Sequence, residues 1–317
     1  MKHTHLIVAL LTLLPLSVAA GDDLGAHGFV VWANGGISNY IGSTPGAKIG
    51  IGGGGALGLG YEWRSSAFLL QTGLAGKYSQ SGLRINDNAY TLYQQVDPQA
   101  VDGFFDYQYI QTNRKDRYTT ITAQIPLMVG AHINHFYFLA GAKVNLNVIN
   151  QYKADATFSA VGLYKEFFDP LANMPNHGFF TDYALSTSGR TAMKVNVAGS
   201  FEIGAEIPLG GSSRTSSDNY FRIAAFADMN ILDDRMNSGK EMLTYPLQYA
   251  ANSDMTAGLS MVDYLSSTSA TSPVRNLFAG VKLTFVLSSG VKYGCVMCQS
   301  GYPTRRDRRR GNRVMIY

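Results

Sequence analysis

Charge is scarce in this chain. Asp, Glu, Lys and Arg make up 15% of its 317 residues, where an ordinary soluble domain carries about a quarter. Cysteine is nearly absent: there are 2, Cys295 and Cys298, which excludes a disulfide-dense scaffold. Neither follows a signal cleavage site, which argues against lipoprotein processing. No apolar run reaches about 18 residues, so no segment reads as a membrane-spanning helix. A strong imbalance of charge is also missing. The net charge is +4, and Arg305, Arg306, Arg308, Arg309, Arg310 and Arg313 crowd the C-terminal end, leaving the body close to neutral. Nucleic acid is not implied. What the chain has instead is 34 Gly, 19 Tyr and 16 Phe. Few charges, many glycines and many aromatics suit a transmembrane β-barrel. A secreted β-sandwich shares part of this, so composition leaves both open.

The N-terminal end reads as an export signal. Lys2 and His3 precede an apolar core from Leu6 to Leu14, and Val18-Ala19-Ala20 supplies small residues for cleavage. The expected division is a signal peptide over 1–20, a barrel over 21–288, and a basic tail with Cys-x-x-Cys over 289–317.

The stretch from Arg117 to Lys143 is uncharged between its ends, yet its apolar residues alternate. Ile121, Ala123, Ile125, Leu127 and Val129 alternate in the first half, with Thr120, Thr122 and Gln124 between them; Phe138, Ala140, Ala142, Val144, Leu146 and Val148 alternate with Gly141, Lys143, Asn145 and Asn147 in the second. A period of two is a strand. With a turn at His132–His135, the stretch predicts a β-hairpin whose arms are long enough to cross a bilayer when tilted. The same pattern recurs over 27–40, 48–62, 67–78, 191–207, 219–232 and 274–288, giving eight strands. Glycine fills the second face of the second strand, which would make room for large neighbours inside a small barrel.

After a first connection at 41–47 that is short and breaks the pattern, the connections alternate in length. Those at 63–66, 131–135 and 208–218 are short, whereas 79–116, 150–190 and 233–273 read as long polar loops. That asymmetry predicts an outer-membrane barrel with its short turns periplasmic and its long loops extracellular. Aromatics fall near both strand ends: Tyr61, Trp63, Phe68, Phe136, Tyr220, Phe221 and Phe285 by the short turns, and Tyr40, Tyr78 and Tyr118 by the long loops. They predict two interfacial girdles.

Charges sort onto the non-apolar face. Lys48, Glu62, Lys77, Lys143, Lys194, Glu202, Glu206, Arg222, Asp228 and Lys282 all lie there. On the lipid face each cation would cost about 2–4 kcal/mol near the midplane. They are expected to pair in the lumen and, since eight strands enclose little space, to leave it plugged or very narrow.

The segment Arg117-Tyr118 through Gln124-Ile125-Pro126-Leu127-Met128-Val129-Gly130 resembles the Tyr-x-x-(Leu/Ile)-(Glu/Gln)-Ile-Pro-Leu strand of Bacteroidetes outer-membrane β-barrel proteins, the PorT-like group. The closing strand, Ala279 to Phe285, is similar to the signal that barrel-assembly machinery reads, although Phe278 stands where that signal usually has a polar residue. The resemblance implies a fold and an outer-membrane location. It carries no catalytic residues.

Other features carry weaker chemistry. Cys295 and Cys298 could form a small disulfide, remain thiols or bind metal, and a two-Cys, two-His zinc site would need His132 and His135; no metal and no cofactor is assigned. The arginine-rich tail is either a solvated segment or a tether to an anionic periplasmic or envelope protein, lipid or cell wall. His177, with Asp182, Ser186 and Ser188 nearby, is a faint signal for a lipid-modifying enzyme. The glycines at 52–55 lack the Lys-Ser/Thr of a phosphate loop. The expected whole is a non-enzymatic structural or interaction barrel of the bacterial outer membrane, in contact with its lipid and inserted by the assembly machinery, and further a component of a secretion or surface assembly. A narrow solute channel and a lipid-modifying enzyme stand as alternatives.

Overall fold

Alternation becomes a closed ring. The computed structural model describes residues 26–289 except 66–67, 98–102, 134, 166–169, 192–193, 210–218, 236–237 and 251–252. The expected signal peptide, Cys295, Cys298 and the six tail arginines lie outside the described residues. The strands are β1 (Ala26–Ile41), β2 (Ala47–Arg64), β3 (Phe68–Ile85), β4 (Asn88–Val96), β5 (Phe104–Ile133), β6 (Phe136–Tyr164), β7 (Tyr183–Arg190), β8 (Lys194–Pro208), β9 (Tyr220–Asn230), β10 (Leu243–Thr244), β11 (Ser260–Met261) and β12 (Arg275–Ser289). Eight of them pair antiparallel in the order β1, β2, β3, β5, β6, β8, β9 and β12. The register of β1 against β12, from His27↔Ser289 to Ile41↔Arg275, then closes the sheet on itself. This is an eight-stranded antiparallel transmembrane β-barrel with long loops at one end. The two helical segments described are single 3-10 turns, Pro175–His177 and Tyr264–Ser266, and no described helix is long and apolar enough to cross a membrane.

The barrel is inside out relative to a soluble one. Ile51 is 92% exposed and Leu57 70% exposed, and Leu59, Leu74, Ile121, Val129, Phe201, Ile203, Val281 and Leu283 also point outward. Glu62, Lys143, Glu202, Arg222, Asp228 and Lys282 are buried inside. An apolar band that wide is stable only against hydrocarbon. The inner face needs glycine where large rings fill it: a Cβ on Gly58 would lie 2.3 Å from the Trp32 indole.

Three aromatics leave the expected girdles. Tyr40 and Tyr118 are buried and meet edge-on at 5.4 Å, and the Tyr220 ring lies inward beneath the Arg64 guanidinium at 4.5 Å. A strand end is an interface position only on its outward face, and the alternation puts these three on the other. Tyr61, Phe68, Phe136 and Phe285 are exposed near the short turns, and Tyr78 is exposed near the other end.

Two of the expected long loops are largely strand. β5 and β6 run on together to Phe105↔Tyr164, far beyond the ring. β4 pairs with β5 on one side, from Asn88↔Gln111 to Val96↔Phe104, and β7 with β6 on the other, from Gln151↔Arg190 to Phe158↔Tyr183. The result is a four-stranded sheet standing on the barrel. Its period-two pattern is broken in sequence by register shifts at Thr112/Lys115 and Ile121/Thr122, with Asn113 at φ 54. Each shift moves the inward positions from one parity to the other, so a polar, out-of-phase segment reads as loop.

Candidate functional site

The lumen is a stack of charge pairs and rings. Nearest the short turns, Arg222 on β9 donates to Glu62 on β2 through both terminal nitrogens, one at 2.7 Å, and to Glu206 on β8 through Nε at 2.8 Å. Arg64, at the end of β2, also pairs with Glu206. The Arg222 guanidinium lies 4.7 Å from the centre of the Tyr137 ring, whose hydroxyl donates to Glu202. Lys282 on β12 completes Glu202 at 2.7 Å. One level further, Lys143 on β6 donates to both oxygens of Asp228 at 2.8 Å, and Ser200 donates to the same carboxylate at 2.6 Å. Lys77 is buried with no described carboxylate within salt-bridge distance, its ammonium 4.6 Å from the Phe278 ring; a cation over a ring face is attracted by the ring quadrupole.

One of the ten charges expected in the lumen stands elsewhere. Lys48 is exposed and points outward, because the register shift between Gly50 and Gly53 reverses the faces of β2 above it. Lys194 keeps to the inner face at the upper mouth, lining the lumen with Lys77 and Asn230, and its ammonium donates to the carbonyls of Asp233 and, at 3.2 Å, Arg235. Arg64 takes part in the lumen network unforeseen, since sequence placed it in the turn. Its signal was its parity with Glu62 on β2.

Amides and hydroxyls fill the upper lumen. Gln124 donates to Asn145 at 2.8 Å, Thr122 to Asn147 at 2.9 Å, and Asn276 to Ser38 and Ser81 at 3.1 Å. Asp234 accepts from Asn196 at 2.8 Å, from both-sided contacts of Asn230 at 2.9 and 3.0 Å, and from the Asn276 backbone at 2.7 Å. A void of about 40 Å³ remains among them, and a second of about 10 Å³ lies beside Trp32 and Lys143. These hold a water or so each, not a solute.

The chain between β9 and β12 closes the long-loop mouth. Tyr264, Leu265, Ala270 and Val274 pack on Tyr40, Leu83, Ile85 and Tyr118. Arg114 and Asp116 on β5 latch this cap. Arg114, 1% exposed, holds Asp116 at 3.0 and 3.2 Å and donates to the carbonyls of Val262 at 2.5 Å and Met242 at 3.5 Å. Asp116 accepts the Tyr264 backbone N–H at 2.6 Å, and the Tyr118 hydroxyl accepts that of Leu265 at 3.1 Å. Above the cap, Phe105, Tyr107, Tyr109, Phe158 and Phe179 of the outer sheet and its loops form an apolar core with Leu243, Met255, Leu259 and Met261.

Two acids of this cap make its docking pH-dependent. Burial pushes the Asp263 carboxyl up, and Asp116 facing it from β5 adds to this; Tyr118 from the same strand, Tyr40 from β1 and Tyr152 from β6 also face it. Burial raises Asp234 as well, against its hydrogen bonds and Lys194. Asp233 is held low by the backbone N–H groups of Val274 and Arg235 despite some burial, so it stays ionised across the same range. A carboxyl raised on folding binds its proton more tightly in the docked state. Docking therefore weakens as pH rises from the ordinary carboxylate value of about 4 through the raised values. Amide exchange over 260–274, corrected for intrinsic rates, is expected to be slower at about pH 5 than at about pH 8; equal or reversed protection would contradict this.

His177 lies in the outer layer. Its Nδ1 is 3.6 Å from an Asp97 oxygen and its ring stacks on Phe179 at 5.8 Å. Ser186 donates instead to Asp155 at 2.7 Å, Asp182 bonds through its backbone to Ser159, and Ser188 stands across from Lys153. The Ser–His pair weighed from sequence is not assembled among the described residues. Nor do three or more His, Cys, Asp or Glu side chains converge there as metal ligands.

No protein-family model and no curated protein matches the chain. Among solved structures it is similar to Ail, the attachment invasion locus protein of Yersinia pestis in complex with the heparin analogue sucrose octasulfate, at 12% identity and a TM-score of 0.26, over 82% of this chain and 99% of that one. The fold stands on its own register: eight strands, closed on themselves, around a filled and capped lumen.

Proposed function

We propose that this chain is a non-enzymatic structural or interaction protein of the bacterial outer membrane. The observation that supports this reading is where the chain spends its length. The lumen is occupied by paired side chains and the mouth is capped, whereas β5 and β6 extend to 30 and 29 residues and build a folded sheet outside the ring. Transport needs an open path, and recognition needs a rigid exposed surface. The short turns then face the periplasm and the outer sheet faces the surroundings of the cell. The sequence likeness to the PorT-like barrels of Bacteroidetes favours membership of a secretion or surface assembly. The tail arginines Arg305 to Arg313 would tether a periplasmic or envelope partner or the cell wall.

Planar-bilayer recording of the purified chain tests this against the channel alternative. No stable open state is expected, because the Glu62–Arg222–Glu206 layer blocks the lumen below the cap. A reproducible unitary conductance would replace this reading with a narrow channel.

A further inference from the structure

We infer that the outward face of β2, β3, β5 and β6, just beyond the apolar band at the long-loop end, is a binding site for a phosphate-bearing membrane lipid. Four cations meet there across three strands. Lys48 stands opposite Arg84, and Arg84 opposite Lys115. Arg117, two residues along β5 on the same face, stands opposite Gly82, and Gly82 opposite Gly50. All four cations are exposed, and among the described residues none of them is within salt-bridge distance of a carboxylate. The two glycines leave a floor without side chains between them, and the hollow so formed has a volume of about 840 Å³. A Cβ on Gly82 would meet nothing closer than 3.8 Å, so the floor is open space and not packed core.

Two acids border the hollow. Asp116 turns inward to Arg114, and Asp155 is held by Ser186 at 2.7 Å and by Lys153 at 3.3 Å. Asp155 stands opposite Lys115 and also feels Arg117, so one carboxylate faces four cations and the hollow is net positive. Its height fits a headgroup. Arg117 is four residues beyond Ile121, an exposed residue of the apolar band. Four residues of strand rise about 13 Å, or about 10 Å along the membrane normal at barrel tilt. The headgroup layer begins within a few ångströms of the hydrocarbon edge, and Arg and Lys stems reach back toward it. The face is also one-sided: at the short-turn end no described Lys or Arg points outward, since Arg64 turns in to Glu206. The site continues the lipid-facing surface directly, with the exposed Ile51 bordering the same hollow. Fixed cations above an apolar wall suit an amphiphile whose phosphate and acyl chains they meet together, better than a soluble anion.

The inference rests on the reading of the chain as a membrane barrel. The test is titration of the full-length chain, folded in phosphatidylcholine vesicles, with diphosphoryl lipid A, followed by native mass spectrometry after detergent extraction. Removing two cations in Lys115→Gln/Arg117→Gln is expected to weaken retention about thirtyfold. Gly82→Leu, which keeps every charge but fills the floor, is expected to weaken it as well, and Arg275→Gln on β12, away from the hollow, is expected to leave it unchanged. Retention equal to wild type in both site variants would overturn the site. Displacement by inorganic phosphate as readily as by lipid A would overturn the lipid as ligand. A wild-type chain that does not insert into the vesicles would overturn the membrane reading and the site with it, and is scored separately by protease protection before any lipid is added.

Discussion

Arg222→Ala is expected to lower the stability of the folded barrel by about 3–5 kcal/mol, the cost of removing one partner from a buried ion pair. Arg222 is 1% exposed and is the common partner of Glu62 and Glu206, themselves buried. Without it two carboxylates face each other across the lumen, and of the nearby cations only Arg64 reaches them, pairing with Glu206 and lying 3.9 Å from Glu62. The Tyr137 ring also loses the guanidinium stacked on it. The deficit should show in urea unfolding of the barrel in micelles or bilayers. If the damage comes from orphaned carboxylates, the triple change Arg222→Met/Glu62→Gln/Glu206→Gln should recover much of it, since neutral amides are far cheaper to leave buried. A single-mutant loss below about 1 kcal/mol would mean that Arg64 or water covers both acids, and that the layer is not a dry plug.

How much of this could be read beforehand depended on whether the period of two ran unbroken. Five of the eight ring strands, β1, β2, β8, β9 and β12, can be bounded to within about three residues because each carries an alternating face, as in Val195 to Ile207 or Leu277 to Leu287, whereas β3, β5 and β6 run well beyond the expected limits. The lumen charges could be assigned for the same reason, Glu62, Lys143, Glu202, Arg222, Asp228 and Lys282 all standing on the inner parity. Reading failed at each change of phase. The shift between Gly50 and Gly53 turned Lys48 out of the lumen, and the shift between Thr112 and Lys115 hid the outer half of β5. The outer ends of β5 and β6 also read as loop because their second face mixes Asp106, Gln108, Thr112, Lys153, Asp155, Thr157 and Ser159 with a few apolar residues. The cap was illegible for a different reason. Its latch joins residues far apart in sequence, Asp116 to Tyr264 and Tyr118 to Leu265, and nothing periodic announces it. Tyr40 and Tyr118 read as interface anchors because an aromatic at a strand end has no cover other than the cap, which no local pattern marks.

Arg114→Ala is expected to separate the cap from the ring. Arg114 makes two bonds to Asp116 and reaches the loop at the Val262 and Met242 carbonyls. Its removal leaves Asp116 buried with the Tyr264 N–H as its remaining partner, at a local cost again of about 3–5 kcal/mol. The loop takes no part in closing the ring, whose pairing from β1 to β12 is continuous. Fully burying the Leu265 side chain contributes only about 2 kcal/mol to docking, too little to hold the cap against an orphaned carboxylate. The expected result is therefore local opening: amide exchange and protease cleavage rise over 242–265, while the midpoint of global unfolding moves much less than for Arg222→Ala. Asp116→Asn in the same background should restore part of the protection, because it removes the charge that Arg114 neutralised. The uncapped barrel should still not conduct, since the Lys143–Asp228, Lys282–Glu202 and Arg222–Glu62 pairs fill the lumen below the cap. Equal losses of global stability in the two arginine variants would show instead that cap and ring unfold as one unit, and the outer sheet would then be part of what holds the barrel closed.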